Sequence, residues 1–253
     1  MQSKKIDPKL AAKDIRAGMD HAALMRKYNL SIRGLIMMFH KLVAKGVLLE
    51  SEAAQRIPSE DTPLHIRNQF TGEILFSSPA QTVKELVETA VKRGADLSEA
   101  DLAGANLFEL QAREANFSEA LLFRAQLQGA DLTGTILFRA ELAQSYLSRA
   151  KLTKADLSEA NLTEADLTAA DFRETVMVRA NLDKANLFET DLRKSDLKDA
   201  RFLEANLEKA NLENADLAGA ELEGANLAGA GLAGANLAEA NWKSAKNVPV
   251  ERE

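Results

Sequence analysis

Three histidines, His21, His40 and His65, are the side chains in this 253-residue sequence best suited by type to ligate a metal or move a proton near neutral pH. None has a carboxylate or a second histidine at ligand spacing within a recognisable motif. The chain has no cysteine, which excludes a disulfide framework, a thiolate metal site and a cysteine nucleophile. No nucleophile elbow, phosphate loop or dinucleotide fingerprint is present. A ladder of Asp and Asn at five-residue spacing could suggest calcium, but the glycine-rich nonapeptide that builds calcium β-rolls is missing. The expectation is a chain with no catalytic residue, no cofactor and no metal.

That Asp/Asn ladder belongs to a larger pattern. From Ala95 to Ser244 a five-residue frame runs through 30 consecutive units without a slip. The middle position is Leu in 24 of the 30 units, and Ala fills the position two residues earlier in 24. On an α-helix five residues advance about 140° beyond a full turn, so the leucines would spiral over every side. On a flat strand an odd period throws successive leucines onto opposite faces. Only a chain that bends once per unit keeps every Leu inside, and repeated bending in one sense winds a coil filled by stacked leucines. Ala fits the tight corner, and the Asp or Asn before each Leu can bond its own backbone and hold the bend.

Tandem ADLSE, ANLTE, ADLTA and ANLEK resemble the pentapeptide-repeat family. The resemblance covers about three fifths of the chain and implies a right-handed quadrilateral β-helix with four units per 20-residue coil. Periodicity alone does not choose four sides over three. With four, the 30 units make about 7.5 coils and a rod roughly 36 Å long. The expected fold is a mainly β solenoid preceded by a small all-α module and a hairpin-plus-helix cap: 1–57, a helix-turn-helix-like module; 58–94, hairpin and capping helix; 95–244, the β-helix; 245–253, a tail.

A coil end exposes its apolar lumen and needs a cap. Thr82 and Glu85 form a capping-box signature, Val83, Leu86, Val87, Ala90 and Val91 make one apolar stripe, and Gly94 ends that helix. This stripe, with a hairpin turning near Thr71 and Gly72, is expected to cover the first coil. At the other end Trp242 replaces the last Leu. It either plugs the coil or marks where two molecules stack. The quinolone-resistance members that the resemblance brings in pair their rods through a terminal helix, for which the remaining residues leave no room.

Residues 1 to 50 read as three short helices, with N-caps at Asp20 and Ser31 and Gly46 after the third. Leu35, Met38, Phe39, Leu42 and Val43 form one stripe, and Leu10, Ile15, Leu24, Tyr28 and Leu30 are expected to complete a small core. MRKYNLSIRGLIMMFHKL looks like a helix-turn-helix whose second helix would present Arg33, Met37 and Lys41 on one side. Ten Lys/Arg against four Asp/Glu in residues 1–50 suit phosphate, whereas Ile36 and Met37 suit a protein partner. Nucleic-acid binding, protein docking and homodimerisation through this module or the C-terminal coil end stay open.

Residues 1–94 carry 15 Lys/Arg and 10 Asp/Glu, a net +5; residues 95–244 carry 15 and 26, a net −11. The resemblance also brings in DNA mimics that occupy a type II topoisomerase. Here the rod has one net charge per ~3.3 Å, against one per ~1.7 Å for duplex DNA. No apolar run approaches a membrane span and no secretory leader is visible, so the location expected is cytoplasmic. Ile136, Phe138, Val176 and Val178 would share one outward face under four-unit winding, with Leu121 and Phe123 on the next. Together they are the expected surface for a protein partner. The function expected is therefore a non-catalytic scaffold, with a DNA-binding regulator or a gyrase-directed mimic as alternatives.

Overall fold

The computed structural model describes residues 6–54, 56–59 and 61–249. Four helices come first: α1 (Pro8–Arg16), α2 (His21–Tyr28), α3 (Ile32–Ala44) and α4 (Glu50–Ala54). Each start has a local cause. Asp7 accepts from the Lys9 and Leu10 amides ahead of Pro8, Asp20 accepts from Ala23 N, and Ser31 accepts from Gly34 N. Asn29 ends α2 in the left-handed region, at φ 51°. The brief α4 was not foreseen. One core expectation fails: Leu10 is 43% exposed. Ala11, Ala12 and Ile15 form the buried side of α1, and Leu10 lies about 100° and 200° around the helix from the two alanines.

Strands β1 (Pro63–Arg67) and β2 (Ile74–Pro79) form an antiparallel hairpin with an irregularity at Ile66/Arg67. Asn68 shapes the turn by accepting from the Phe70 and Thr71 amides, and Gly72 takes φ +73°. Helix α5 (Val83–Lys92) follows, capped by Thr82 Oγ1 on Glu85 N. Glu85 reaches back to the amide of Gln81 rather than Thr82, a one-residue variant of the expected box. Gly94, at φ +67°, releases the chain into the first coil.

From there each bridge joins residue i to i+20, beginning with Asp101 to Leu121 and ending with Asn226 to Lys246. The rod is therefore four-sided. Middle residues from Leu97 to Leu227 are buried in the lumen, as are the small residues at the corners. One unit shows how close the fit is: Leu110 stands at a corner and Ala112 in the middle, an exchange of sizes, and both are buried.

The Asp/Asn preference follows from where the backbone amides of a unit find their acceptors. In the interior units the middle amide and the amide two residues on donate to carbonyls of the next coil, as Leu162 N does to Asn181 O and Glu164 N to Asp183 O. The corner amide closes a turn, Ala165 N to Leu162 O, and the amide after it donates to the previous coil, Asp166 N to Ser145 O. One amide per unit is left over, just after the middle residue. The Asp or Asn two residues earlier accepts from it, as Asn161 Oδ1 does from Thr163 N at 3.1 Å. The residue before each corner sits at positive φ whether it is Gly219, Glu164 or Lys184. That conformation disfavours side chains.

The rod's ends are closed differently. At the start, Arg67 O accepts from Asp101 N, Gln69 N donates to Glu99 O, and Glu88 of α5 accepts from Gln111 N. Val83, Leu86, Val87 and Ala90 are buried, in one core continuous with the module and the rod. Val91 is half-buried. Arg26 of α2 pairs with Asp101 at 2.6 Å and keeps only 10% of its side chain exposed. At the far end Trp242 is half-buried in a 3-10 turn (Trp242–Ser244), and Lys246 adds one rung on Ala225. Leu232 and Leu237 of the last coil stay partly exposed.

Candidate docking surface

Each unit contributes one side and its corner, so the i to i+20 register sorts the rod's charges into four quarters. The quarter holding Ile136 has nine acidic and three basic residues, a net −6. Next in winding order, the quarter holding Leu121 has seven and four; the third, holding Tyr146, four and two; the fourth, holding Lys151, six and six. More than half of the rod's net charge thus lies on one quarter, and the fourth is neutral.

The neutral quarter is laced by ion pairs. Arg173 meets Asp171 at 2.6 Å and Asp191 at 3.7 Å, Arg193 meets Asp191 at 2.6 Å, and Arg113 meets Asp131 at 3.3 Å. Hydrogen bonds from Arg173 and Arg193 hold Asp171 and Asp191 below the usual carboxylate range. This quarter carries no large apolar side chain facing outward.

The acidic quarter does. Ile136 is 42% exposed and Val176 39%, while Phe138 and Val178 are half-buried beside them. The first quarter's two apolar pairs are separated by Asp156 and Ser158, because Asp156 bridges both Ile136 and Val176. On the adjoining quarter Leu121 and Phe123 are half-buried. Arg139 covers the Phe138 ring at 4.8 Å and is tied to Glu159 at 2.7 Å; Arg124 covers Phe123 at 4.8 Å and is tied to Gln144 at 2.7 Å.

These apolar residues displace a structural one. Leu121, Ile136 and Val176 occupy the position from which Asp or Asn caps the leftover amide. Among the described residues the amides of Phe123, Phe138 and Val178 accordingly have no protein acceptor. A bond worth about 1 kcal/mol is given up at each. The sequence pattern carries this signal, as departures from Asp/Asn, and its cost lies in the backbone hydrogen bonds.

On the helical module, Arg33, Met37 and Lys41 lie exposed along one side of α3, with Met37 at 56%. Part of the positive charge of the module and the hairpin is engaged internally. Arg16 pairs with Glu52 at 2.8 Å, Lys27 with Asp14 at 2.7 Å, and Arg67 of the hairpin with Asp20 at 2.9 Å. Arg16 holds Glu52 down to about 2, aided by the Leu49 amide. Burial pushes Asp14 up, but Lys27 and the Tyr28 hydroxyl outweigh it and leave its pKa lowered. Ser31, which starts α3, faces Lys84, Asn106 and Phe108 across a cleft of about 370 Å³.

The histidines lie apart from these surfaces. His21 Nε2 is 3.0 Å from Arg56 O, and His65 Nδ1 is 3.0 Å from Ser77 Oγ, its pKa lowered by burial and by Arg67. His40 is exposed. Among the described residues no cluster of His, Asp or Glu could hold a metal, and no helix is long and apolar enough to cross a membrane.

A parallel coil closed every twenty residues around a leucine lumen defines a repeat solenoid that offers surfaces. The family model for pentapeptide repeats matches residues 95–137, 140–177, 165–202 and 205–241, and the chain belongs to that family of right-handed quadrilateral β-helices. Among solved structures it is similar to the pentapeptide repeat protein Rfr23 of the cyanobacterium Cyanothece 51142, at 39% identity over 39% of this chain, with a TM-score of 0.28. The chain spans 62% of that protein's length. It is also similar to HetL of Nostoc sp. strain PCC 7120, involved in heterocyst differentiation regulation, at 34% identity over 60% of this chain and 82% of that one, with a TM-score of 0.23. For QnrB1, a plasmid-mediated fluoroquinolone resistance protein, identity is 16% over 53% of this chain and 86% of that one, with a TM-score of 0.32. No curated protein matches the chain.

Proposed function

We propose that this chain is a non-catalytic scaffold that docks a protein partner on the two adjoining rod quarters carrying Ile136, Phe138, Val176, Val178, Leu121 and Phe123. The observation that carries the reading is the exchange described above: turn-capping Asp or Asn gives way at Ile136, Val176 and Leu121 to outward apolar side chains on the two most acidic quarters, with Tyr146 the counterpart on the third, and the neutral quarter has none. A surface that lowers stability without filling the core is best explained by contact with something else. The helical module serves as the rod's first cap, with α3 as a second contact surface.

Two observations weigh against the alternatives. In a helix-turn-helix reader the start of the second helix meets the bases. Here that turn faces the rod across a narrow cleft, and several of the module's cations are already paired. A DNA mimic needs a dense, continuous run of negative charge, whereas this rod concentrates a net −6 on one quarter and neutralises another.

The test is differential capture from an extract of the source organism by immobilised wild type, the double variant Ile136→Lys with Phe138→Lys, and the control Thr153→Lys on the neutral quarter. Proteins held by wild type and control should be lost from the double variant while its melting curve is unchanged. Equal retention by all three would sink the reading.

A further inference from the structure

Resting on that docking reading, we infer that the partner segment is a basic amphipathic α-helix lying along the rod axis on the Ile136 quarter, with apolar residues seven apart and a Lys or Arg midway. Ile136 and Val176 are two rungs apart on one flat side, with Asp156 on the rung between. Rungs of ~4.8 Å place the two apolar residues about 9.6 Å apart. An α-helix rises about 10.5 Å over seven residues and returns to nearly the same side, so positions i and i+7 match that interval. A strand of a partner would alternate faces every ~3.3 Å and offer no such match.

The middle of the site supplies the charge rule. Residues i+3 and i+4 of such a helix fall about 4.5–6 Å along the axis, level with Asp156. One Asp156 oxygen accepts from Ser158 N at 2.9 Å, and among the described residues no cation pairs with this carboxylate. The next quarter in the winding is also acidic. A cationic side chain is therefore favoured there, and an acidic one is repelled.

Three capped synthetic helical peptides and the full-length chain test the inference by fluorescence anisotropy at low and moderate salt. One carries leucines seven apart with lysine midway; the second has the same composition with leucines five apart; the third replaces lysine by glutamate. The first should bind with salt-sensitive affinity, and the other two about tenfold or more weaker. Asp156→Lys should cost the first peptide a similar factor and reverse the preference between lysine and glutamate. No binding of the first peptide at about 1 mM, or equal binding of the wrongly spaced one, overturns the inference. If either result accompanies a captured partner that the double variant Ile136→Lys with Phe138→Lys still releases, the docking surface stands and only the helix falls. If no captured partner depends on Ile136 and Phe138, both fall.

Discussion

The helical module and the rod both bury apolar surface while pairing their backbone groups, and they do so by opposite means. In the module each contact occurs once: Asp14 accepts from Tyr28 and Lys27, Arg56 donates to the Ile15 and Met19 carbonyls, and Arg26 reaches Asp101. In the rod the same few bonds recur from one interior coil to the next, so each coil depends only on its neighbours. Damage should therefore spread through the module and stay local in the rod.

The largest expected effect sharpens that contrast inside the rod. Leu162 has neighbours above and below and is 0% exposed, whereas Leu237 lies on the half-open last coil. Leu162→Ala should cost about 3 kcal/mol and Leu237→Ala about 1, measured by urea unfolding. Equal costs would mean that the terminal coil is as fully supported as the middle.

The seam between the two regions comes next. Arg26→Ala leaves Asp101 without its nearly buried partner and should cost about 2 kcal/mol. Hydrogen exchange should then quicken in α2 and α3 while coils beyond residue 140 keep their protection. Uniform quickening would show that module and rod open as one unit, and the comparison would break.

The smallest effect concerns acid. Asp171 and Asp191 are held low by hydrogen bonds from Arg173 and Arg193. A carboxylate whose folded pKa is depressed adds stability above its unfolded value of about 3.9, and that stability is lost as pH falls through the folded value. The denaturant midpoint should therefore drop below about pH 4, and a double variant with Asp171→Asn and Asp191→Asn should show a shallower drop. An unchanged profile would assign the acid response to other carboxylates.

The two regions also differed in how much their sequences disclosed. In the rod the five-residue frame determined which residues lie inside, and the Asp/Asn preference pointed to local turn bonding. The four-sided winding came from resemblance, since it depends on corner angles that spacing does not encode. The outward apolar residues were legible as a group, but Asp156 between the two pairs became meaningful only in register. In the module the caps at Asp20 and Ser31 were legible, while Leu10 was misplaced because a nine-residue helix offers too few turns to define its buried side. The docking of α2 on the first coil through Arg26 joins residues 75 positions apart, and no local pattern announces it.

The rod's i to i+20 register has a consequence for how such a chain can lengthen or shorten. Gaining or losing one residue would turn every downstream leucine out of the lumen. Five residues would preserve the core yet rotate everything beyond by a quarter turn, separating Ile136 from Val176 if the change fell between them. Twenty residues would add one storey of about 4.8 Å and leave every outward face in line. Viable length variants should therefore differ by multiples of five, and those that keep the same surface by multiples of twenty.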